Sequence, residues 1–265
     1  MAALEFDEEA ARLVERTYAT PDVVAQRAQV LALLAPQPGE RVLDIGSGPG
    51  YLAVSLADAV GKTGTVRGLD ASQAMNTIAR SRCASRPWIH IDDGDAGTLP
   101  YPDASFDAAV STQVYEYVPD MPRALAELRR VLRPGGRALI LDTDWDSLVW
   151  HTADRELHQR VIAAWEEHLV HPHLPSTLAG LLRRAGFSVP EERVVVLFNP
   201  RLHSQTFSAN IMELIAEFVV GRHGLTAKDA QAWLDDLRAR ADEGDYLFSL
   251  NRYVFLADVP ADQRR

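Results

Sequence analysis

The chain has 265 residues, 47% of them hydrophobic, enough for one generous α/β core without covalent staples. Thirty-seven acidic against 27 basic residues leave a formal charge of −10, which repels a phosphate backbone and speaks against nucleic acid as a partner. The single cysteine, Cys83, excludes an internal disulfide and points to a reducing, cytoplasmic compartment. The N-terminus is acidic where an export leader is basic and then apolar, and no apolar run approaches the roughly 18 residues of a membrane span. The most visible basic cluster, Arg129, Arg130 and Arg133, falls in the last turns of a predicted helix, where cations favour the helix dipole and solvent.

Thr20-Pro21-Asp22 is a helix entrance, and the apolar positions Val23, Val24, Ala28, Val30, Leu31, Leu33 and Leu34 predict a helix over 22–35. Pro36, Pro38 and Gly39 break it. Arg41-Val-Leu-Asp-Ile45 then reads as a short buried strand ending in Gly46-Ser-Gly-Pro-Gly50, with a helix over 52–60 behind the turn. Strand 65–69, helix 72–83 and strands 88–91 and 106–112 follow. After them come helix 121–132, a turn at Pro134-Gly135-Gly136 and strand 137–142. Strands alternating with helices imply parallel βαβ units and a doubly wound, mostly parallel α/β sheet.

The C-terminal half changes character, with helices 154–168 and 177–185, a β-branched strand over 193–198 and a last strand over 246–256. The helical stretch 207–243 is too long for a hairpin and is expected as a cap over the C-terminal edge of the sheet. One domain is predicted, with an N-terminal helical lid (1–40), a cofactor-binding core (41–206), the cap (207–243) and a final strand and tail (244–265).

A glycine turn between a first strand and helix lets backbone approach a ligand closely. Its spacing here is Gly46-x-Gly48-x-Gly50, whereas the dinucleotide fingerprint is G-x-G-x-x-G, which disfavours a nicotinamide oxidoreductase. Asp70 ends the next strand, where a carboxylate can accept from two ribose hydroxyls. Asp95, just past the third strand, can accept from an adenine amine while the Ala96 amide donates to the ring. Together they place one adenosine-sized ligand across the switch point.

Val42-Leu-Asp-Ile-Gly-Ser-Gly-Pro-Gly50 resembles the first motif of class I S-adenosylmethionine-dependent methyltransferases. Leu69-Asp70, Gly94-Asp95-Ala96 and Leu132-Arg-Pro-Gly-Gly136 match their later motifs. The resemblance covers about residues 40 to 145 and is closest to the ubiquinone/menaquinone-biosynthesis-like (methyltransferase type 11) branch acting on small molecules. It implies a seven-stranded Rossmann-like methyltransferase fold and S-adenosylmethionine as cofactor. It further implies that Gly46 and Gly48 border the methionine part, Asp44 the ammonium, Asp70 the ribose, and Asp95 with Ala96 the adenine. Ser47, Ala71, Thr112 and Gln113 join this set, and Tyr18 and Arg27 belong to the segment that lies over the cofactor.

Methyl transfer from a sulfonium is an in-line displacement that needs alignment and exclusion of water more than covalent machinery. An oxygen or nitrogen acceptor also has a proton to lose, for which His151 or Glu116 is the candidate base. Tyr117, Trp145 and His173 are the candidate acceptor contacts, within an aromatic rim after the fourth and fifth strands. His171-Pro-His173 lacks further ligands at metal spacing, so no metal is expected. The reading is methyl transfer to oxygen, nitrogen or carbon of a small molecule in secondary or cofactor metabolism, by a monomer or homodimer. The alternative is a non-methylating enzyme or binding protein that uses the cofactor structurally on the same scaffold.

Overall fold

The computed structural model describes residues 8–261. The first acidic residues, on which the reading of the N-terminus rested in part, lie outside them. Among the described residues no helix is long and apolar enough to cross a membrane.

Helices α1 (Glu8–Tyr18) and α2 (Pro21–Leu34) precede β1 (Arg41–Ile45), α3 (Tyr51–Val60), β2 (Thr65–Asp70), α4 (Gln73–Cys83), β3 (Ile89–Asp93) and β4 (Phe106–Thr112). After a 3-10 turn at Tyr115–Tyr117 come α5 (Met121–Val131), β5 (Leu132–Thr143), a second 3-10 turn at Trp145–Ser147, and the two-residue β6 (Val149–Trp150). The chain closes with α6 (Arg155–Glu166), α7 (Pro175–Arg184), β7 (Ser188–Asn199), α8 (Phe207–Phe218), α9 (Ala227–Asp242) and β8 (Phe248–Asp258).

The sheet runs β3-β2-β1-β4-β5-β8-β6, with β7 on the far side of β8. Strands β3, β2, β1, β4 and β5 pair in parallel, and β8 pairs antiparallel with β5, β6 and β7. The sheet therefore has eight strands, one more than the seven of the sequence reading, because Val149 and Trp150 add a short pairing to Ser249 and Phe248. Strand order reverses between β1 and β4, so the C-terminal ends of β1, β2 and β4 open a crevice at the switch point.

Local chemistry sets these elements. Central strand β1 is buried from Val42 to Ile45, as a parallel strand covered on both faces must be. Side chains of Ser72, Asp120, Asp154 and Thr206 accept the amides that open α4, α5, α6 and α8, and Thr226 with Asp229 forms a capping box for α9. Alternation divides the core in two: Leu43, Ile45 and Ile140 pack towards α5 and α7, while Val42, Val66 and Val110 pack towards α2 and α3. A third cluster joins Trp165 of α6, Ile215 of α8 and Trp233 of α9 to Phe248 and Leu250 of β8. Helices α8 and α9 thus bury their apolar faces against α6 and the end of β8.

Candidate functional site

Beyond β1 the chain turns at Gly46, where φ is +68° and a Cβ would lie 2.0 Å from Val114 Cγ2. Only glycine fits such a backbone and such an approach. The amides of Gly46 and Ser47 both donate to the Leu69 carbonyl, at 2.7 and 3.0 Å, tying the turn to β2. Asp70 completes the tie: its Oδ2 accepts from the Gly48 amide at 2.8 Å and its Oδ1 from the Ser72 amide at 2.9 Å. Burial raises its pKa, and these amides pull the other way. At Gly48 φ is +50° and a Cβ would meet nothing closer than Tyr18 at 4.0 Å, so the turn leaves open space above the peptide.

That space belongs to a chamber of about 660 Å³, within the roughly 300–1,000 Å³ of small-molecule sites. Its walls come in order from the strand ends: Gly46 and Gly48 after β1, Asp70 and Ala71 after β2, Asp95 and Ala96 after β3, Thr112 and Gln113 after β4. Tyr117, Val118 and Pro119 close one end, and Val14 and Tyr18 of α1 form the roof. Asp95 Oδ1 accepts from the Gly97 amide at 2.7 Å, which fixes the loop that presents Ala96.

A second cavity of about 50 Å³ shares Tyr18, Gly46, Thr112 and Gln113 with the chamber and adds Gln26, Arg27, Asp44 and Ser47. Asp44 is 1% exposed, and burial, with the Asp70 charge nearby, pushes its pKa up to about 8. Asp44 Oδ2 and Ser47 Oγ have no hydrogen-bond partner among the described residues. Buried polar atoms without partners are rare in folded chains, and here they line a hollow. Arg27 donates from Nη1 to the Tyr18 carbonyl at 3.2 Å and lies over the Tyr51 ring at 4.8 Å.

The structure thus gathers Tyr18, Arg27, Asp44, Gly46, Ser47, Gly48, Asp70, Ala71, Asp95, Ala96, Thr112 and Gln113 around two adjoining cavities, with Tyr117 at the far end. It does not bring His151 there. Strand β6 turns towards β8, and the exposed His151 ring meets the Asp245 carbonyl through Nδ1 at 2.8 Å. Trp145 is also corrected: it is buried edge-on against Trp165 at 5.7 Å, because its 3-10 turn faces the third core. The aromatic rim is largely a packed box around His168, whose pKa burial drives down to about 4. His173 stands outside both cavities, with Nδ1 3.1 Å from Asp144 and 3.4 Å from Asp146. His171 points elsewhere, with Nε2 3.1 Å from the Val118 carbonyl.

Glu116 is 2% exposed and stands outside the lining of both cavities, and its Oε2 accepts from the Thr143 amide at 3.2 Å. Two further buried ionisable residues that the sequence reading did not single out are Asp142, near the end of β5, and Arg252 in β8. The signal for Arg252 is present in the sequence. In Leu250-Asn-Arg-Tyr-Val254 alternation puts an arginine on the apolar face, where a charge needs a reason. Burial pushes Glu116 up to about 7 against the pull of the Thr143 amide and of Arg252, and it raises Asp142 as well, with the Glu116 charge adding to the effect.

A doubly wound sheet with a glycine turn and acids at successive strand ends defines a nucleoside-binding α/β enzyme. The family description "methyltransferase domain" matches residues 43–140. The chain is 36% identical, over 91% of its length and 69% of the relative's, to an uncharacterized 37.1 kDa transposon protein of Streptomyces fradiae. It is 30% identical over 64% of its length to a demethylmenaquinone methyltransferase of Symbiobacterium thermophilum, covering 77% of that protein. Of other quinone methyltransferases that it matches, it spans about half the length. In fold it is similar to phosphoethanolamine N-methyltransferase 2 of Haemonchus contortus in complex with S-adenosyl-L-methionine. There the TM-score is 0.63 at 18% identity, over 97% of this chain and 58% of that one. The chain belongs to the class I S-adenosylmethionine-dependent methyltransferases of the ubiquinone/menaquinone type. S-adenosylmethionine is its cofactor.

Proposed function

We propose that the chain methylates a small-molecule acceptor within the chamber. The observation that carries this reading is the continuity of one cavity from Asp95 and Ala96, past Asp70 and Gly48, to Tyr117 and Val118. It has room for a nucleoside at one end and a second small molecule at the other. The residues present fit the cofactor: Asp70 meets the ribose hydroxyls, Asp95 with Ala96 the adenine, and the open turn at Gly46 and Gly48 the chain beyond the ribose. Asp44 and Ser47, with Tyr18, Arg27, Thr112 and Gln113, surround the amino-acid end. A cation there turns the cost of an ionised Asp44 into an attraction.

When bound, the cofactor supplies a methyl group on a positively charged sulfur. The chain's own part is to hold the acceptor in line from the Tyr117 side, exclude water beneath α1, and take up the acceptor's proton. Glu116, buried next to Tyr117 and outside the lining of both cavities, is the candidate for that last task, with its pKa raised by burial. The quinone methyltransferase relatives favour a flat acceptor with ring oxygens, and the reducing environment suited to Cys83 favours the cytoplasm. Calorimetric titration tests the reading: S-adenosylmethionine is expected to saturate one site and NAD to give no heat. Binding of NAD without S-adenosylmethionine would overturn it.

A further inference from the structure

Arg82, in the last turn of α4, touches three parts of the chain that meet at the glycine turn. Its Nε donates to the Pro49 carbonyl at 3.0 Å, and its Nη2 donates to Glu15 Oε1 of the roof helix α1. Its guanidinium carbon lies 3.6 Å from the centre of the Tyr51 ring, at the first residue of α3. Arg27 of α2 lies over the same ring at 4.8 Å and donates to the Tyr18 carbonyl, at the end of α1, at 3.2 Å. A planar guanidinium held on an aromatic face and bonded at its edge has little freedom left.

These contacts converge on one cavity. Tyr18, Arg27, Pro49 and Tyr51 all line the small hollow beside Asp44, whereas Arg27, Pro49 and Tyr51 take no part in the chamber that runs to Asp95. Arg82 lines neither cavity and acts only through its neighbours. Arg27 and Arg82 bring two positive charges to one ring, and Glu15 answers Arg82. Arg27 has no carboxylate partner among the described residues. The same hollow holds Asp44, whose buried Oδ2 has no hydrogen-bond partner among the described residues. A cation and an acid, both unanswered, are the donor set for a ligand that carries a carboxylate and an ammonium together.

We propose that Arg82 is a positioning residue that holds Tyr51 and the glycine turn so that Arg27 can receive a carboxylate, and that it thereby makes the site select nucleosides bearing an amino-acid tail. This rests on the reading of the small cavity as the amino-acid end of the cofactor site. The Pro49 bond fixes the turn, the Tyr51 ring is the platform on which Arg27 lies, and the Glu15 pair draws α1 against both. Without Arg82 the ring is free to turn, Arg27 loses its platform and α1 loses a tether. Asp70 keeps its Gly48 and Ser72 amides and Asp95 its Gly97 amide, so the ribose and adenine end is spared.

The test is a matched pair of ligands, S-adenosylhomocysteine and 5′-methylthioadenosine, which are both uncharged at sulfur and differ in the amino-acid tail. Each is titrated calorimetrically into wild type, Arg82→Gln, Arg27→Met, Tyr51→Phe and Tyr51→Leu. Arg82→Gln is expected to weaken S-adenosylhomocysteine about tenfold or more, on the order of one charge-assisted hydrogen bond, and to leave methylthioadenosine within about twofold. Tyr51→Phe keeps the ring and is expected to match wild type, while Tyr51→Leu follows Arg82→Gln. Equal losses for the two ligands, or no loss for either, would overturn the role of Arg82. A wild type that binds S-adenosylhomocysteine no tighter than methylthioadenosine, or an Arg27→Met that keeps the difference whole, would remove the reading of the small cavity and the inference with it. Should Arg82→Gln not fold, the tyrosine variants decide: a tail-specific loss in Tyr51→Leu and not in Tyr51→Phe supports the proposal, and any other pattern contradicts it.

Discussion

Replacing Asp70 with alanine separates what its carboxylate does for the fold from what it does for the ligand. The side chain accepts two backbone amides, from Gly48 at 2.8 Å and Ser72 at 2.9 Å, each a charge-assisted bond of about 1.5–3 kcal/mol. The group is only partly buried and water can reach the freed amides, so about 2–3 kcal/mol is the expected loss of stability. At roughly 2–4 °C per kcal/mol this lowers Tm by about 4–12 °C. The remaining lone pairs of the carboxylate face the chamber. Losing acceptors for two hydroxyls, and loosening the turn at Gly48, is expected to weaken cofactor binding by about 1.4–2.8 kcal/mol, a factor of about 10 to 100 in Kd. Differential scanning calorimetry gives the first quantity and isothermal titration with S-adenosylmethionine the second. A variant that keeps its affinity within about twofold while losing stability would show that Asp70 serves the turn alone, refuting its role towards ribose.

Gly46→Ala should be severe, because left-handed backbone costs about 1–2 kcal/mol and the contact with Val114 about 1–3 more; a Tm within about 2 °C of wild type would contradict the geometry. Asp44 has a folded pKa of about 8, above its unfolded value, so it contributes stability below the unfolded pKa that is lost as pH rises through about 8. A bound cation favours its ionised form, so cofactor affinity is expected to strengthen from about pH 6 to about 8, and Asp44→Asn to flatten that slope; calorimetry across that range checks both. Glu116→Gln is expected to slow turnover at least about tenfold with cofactor Kd nearly unchanged. His151→Ala, whose ring lies at the Asp245 carbonyl, is expected to retain turnover within about twofold, and a large loss would restore it as a base.

Local signals carried most of the fold into the sequence. The buried run of β1, the glycine turn and Asp70 at the tip of β2 all lie within one βαβ unit, where chain order and spatial order agree. Pro134-Gly135-Gly136 misled, because it reads as a break yet lies inside β5, where Leu132 pairs with Phe106 across a bulge. Helix α1 falls within the segment read as a helical lid, but its bounds are not legible in the sequence because Glu8–Tyr18 is short and charged, and it takes its place from contacts with α2, α4 and α8. The cofactor side of the site followed from motifs, whereas the acceptor side did not. His151 and Trp145 sit beside the right strand ends in sequence, but the pairing of β6 with β8 and the third core turn them away. Glu116, Asp142 and Arg252 are polar residues that a turn, β5 and β8 bury, and only tertiary packing decides that burial.

The central claim is that the chamber holds the methyl donor and a second small molecule together. Its most direct test is the formation of S-adenosylhomocysteine with methyl-labelled cofactor across a panel of quinols, phenols and amines. Release that depends on one acceptor, equal to the label gained by it and lowered in Asp70→Ala at subsaturating cofactor, is the expected result. Saturable cofactor binding with no acceptor-dependent release across the panel would contradict methyl transfer and leave a scaffold that binds the cofactor without using it.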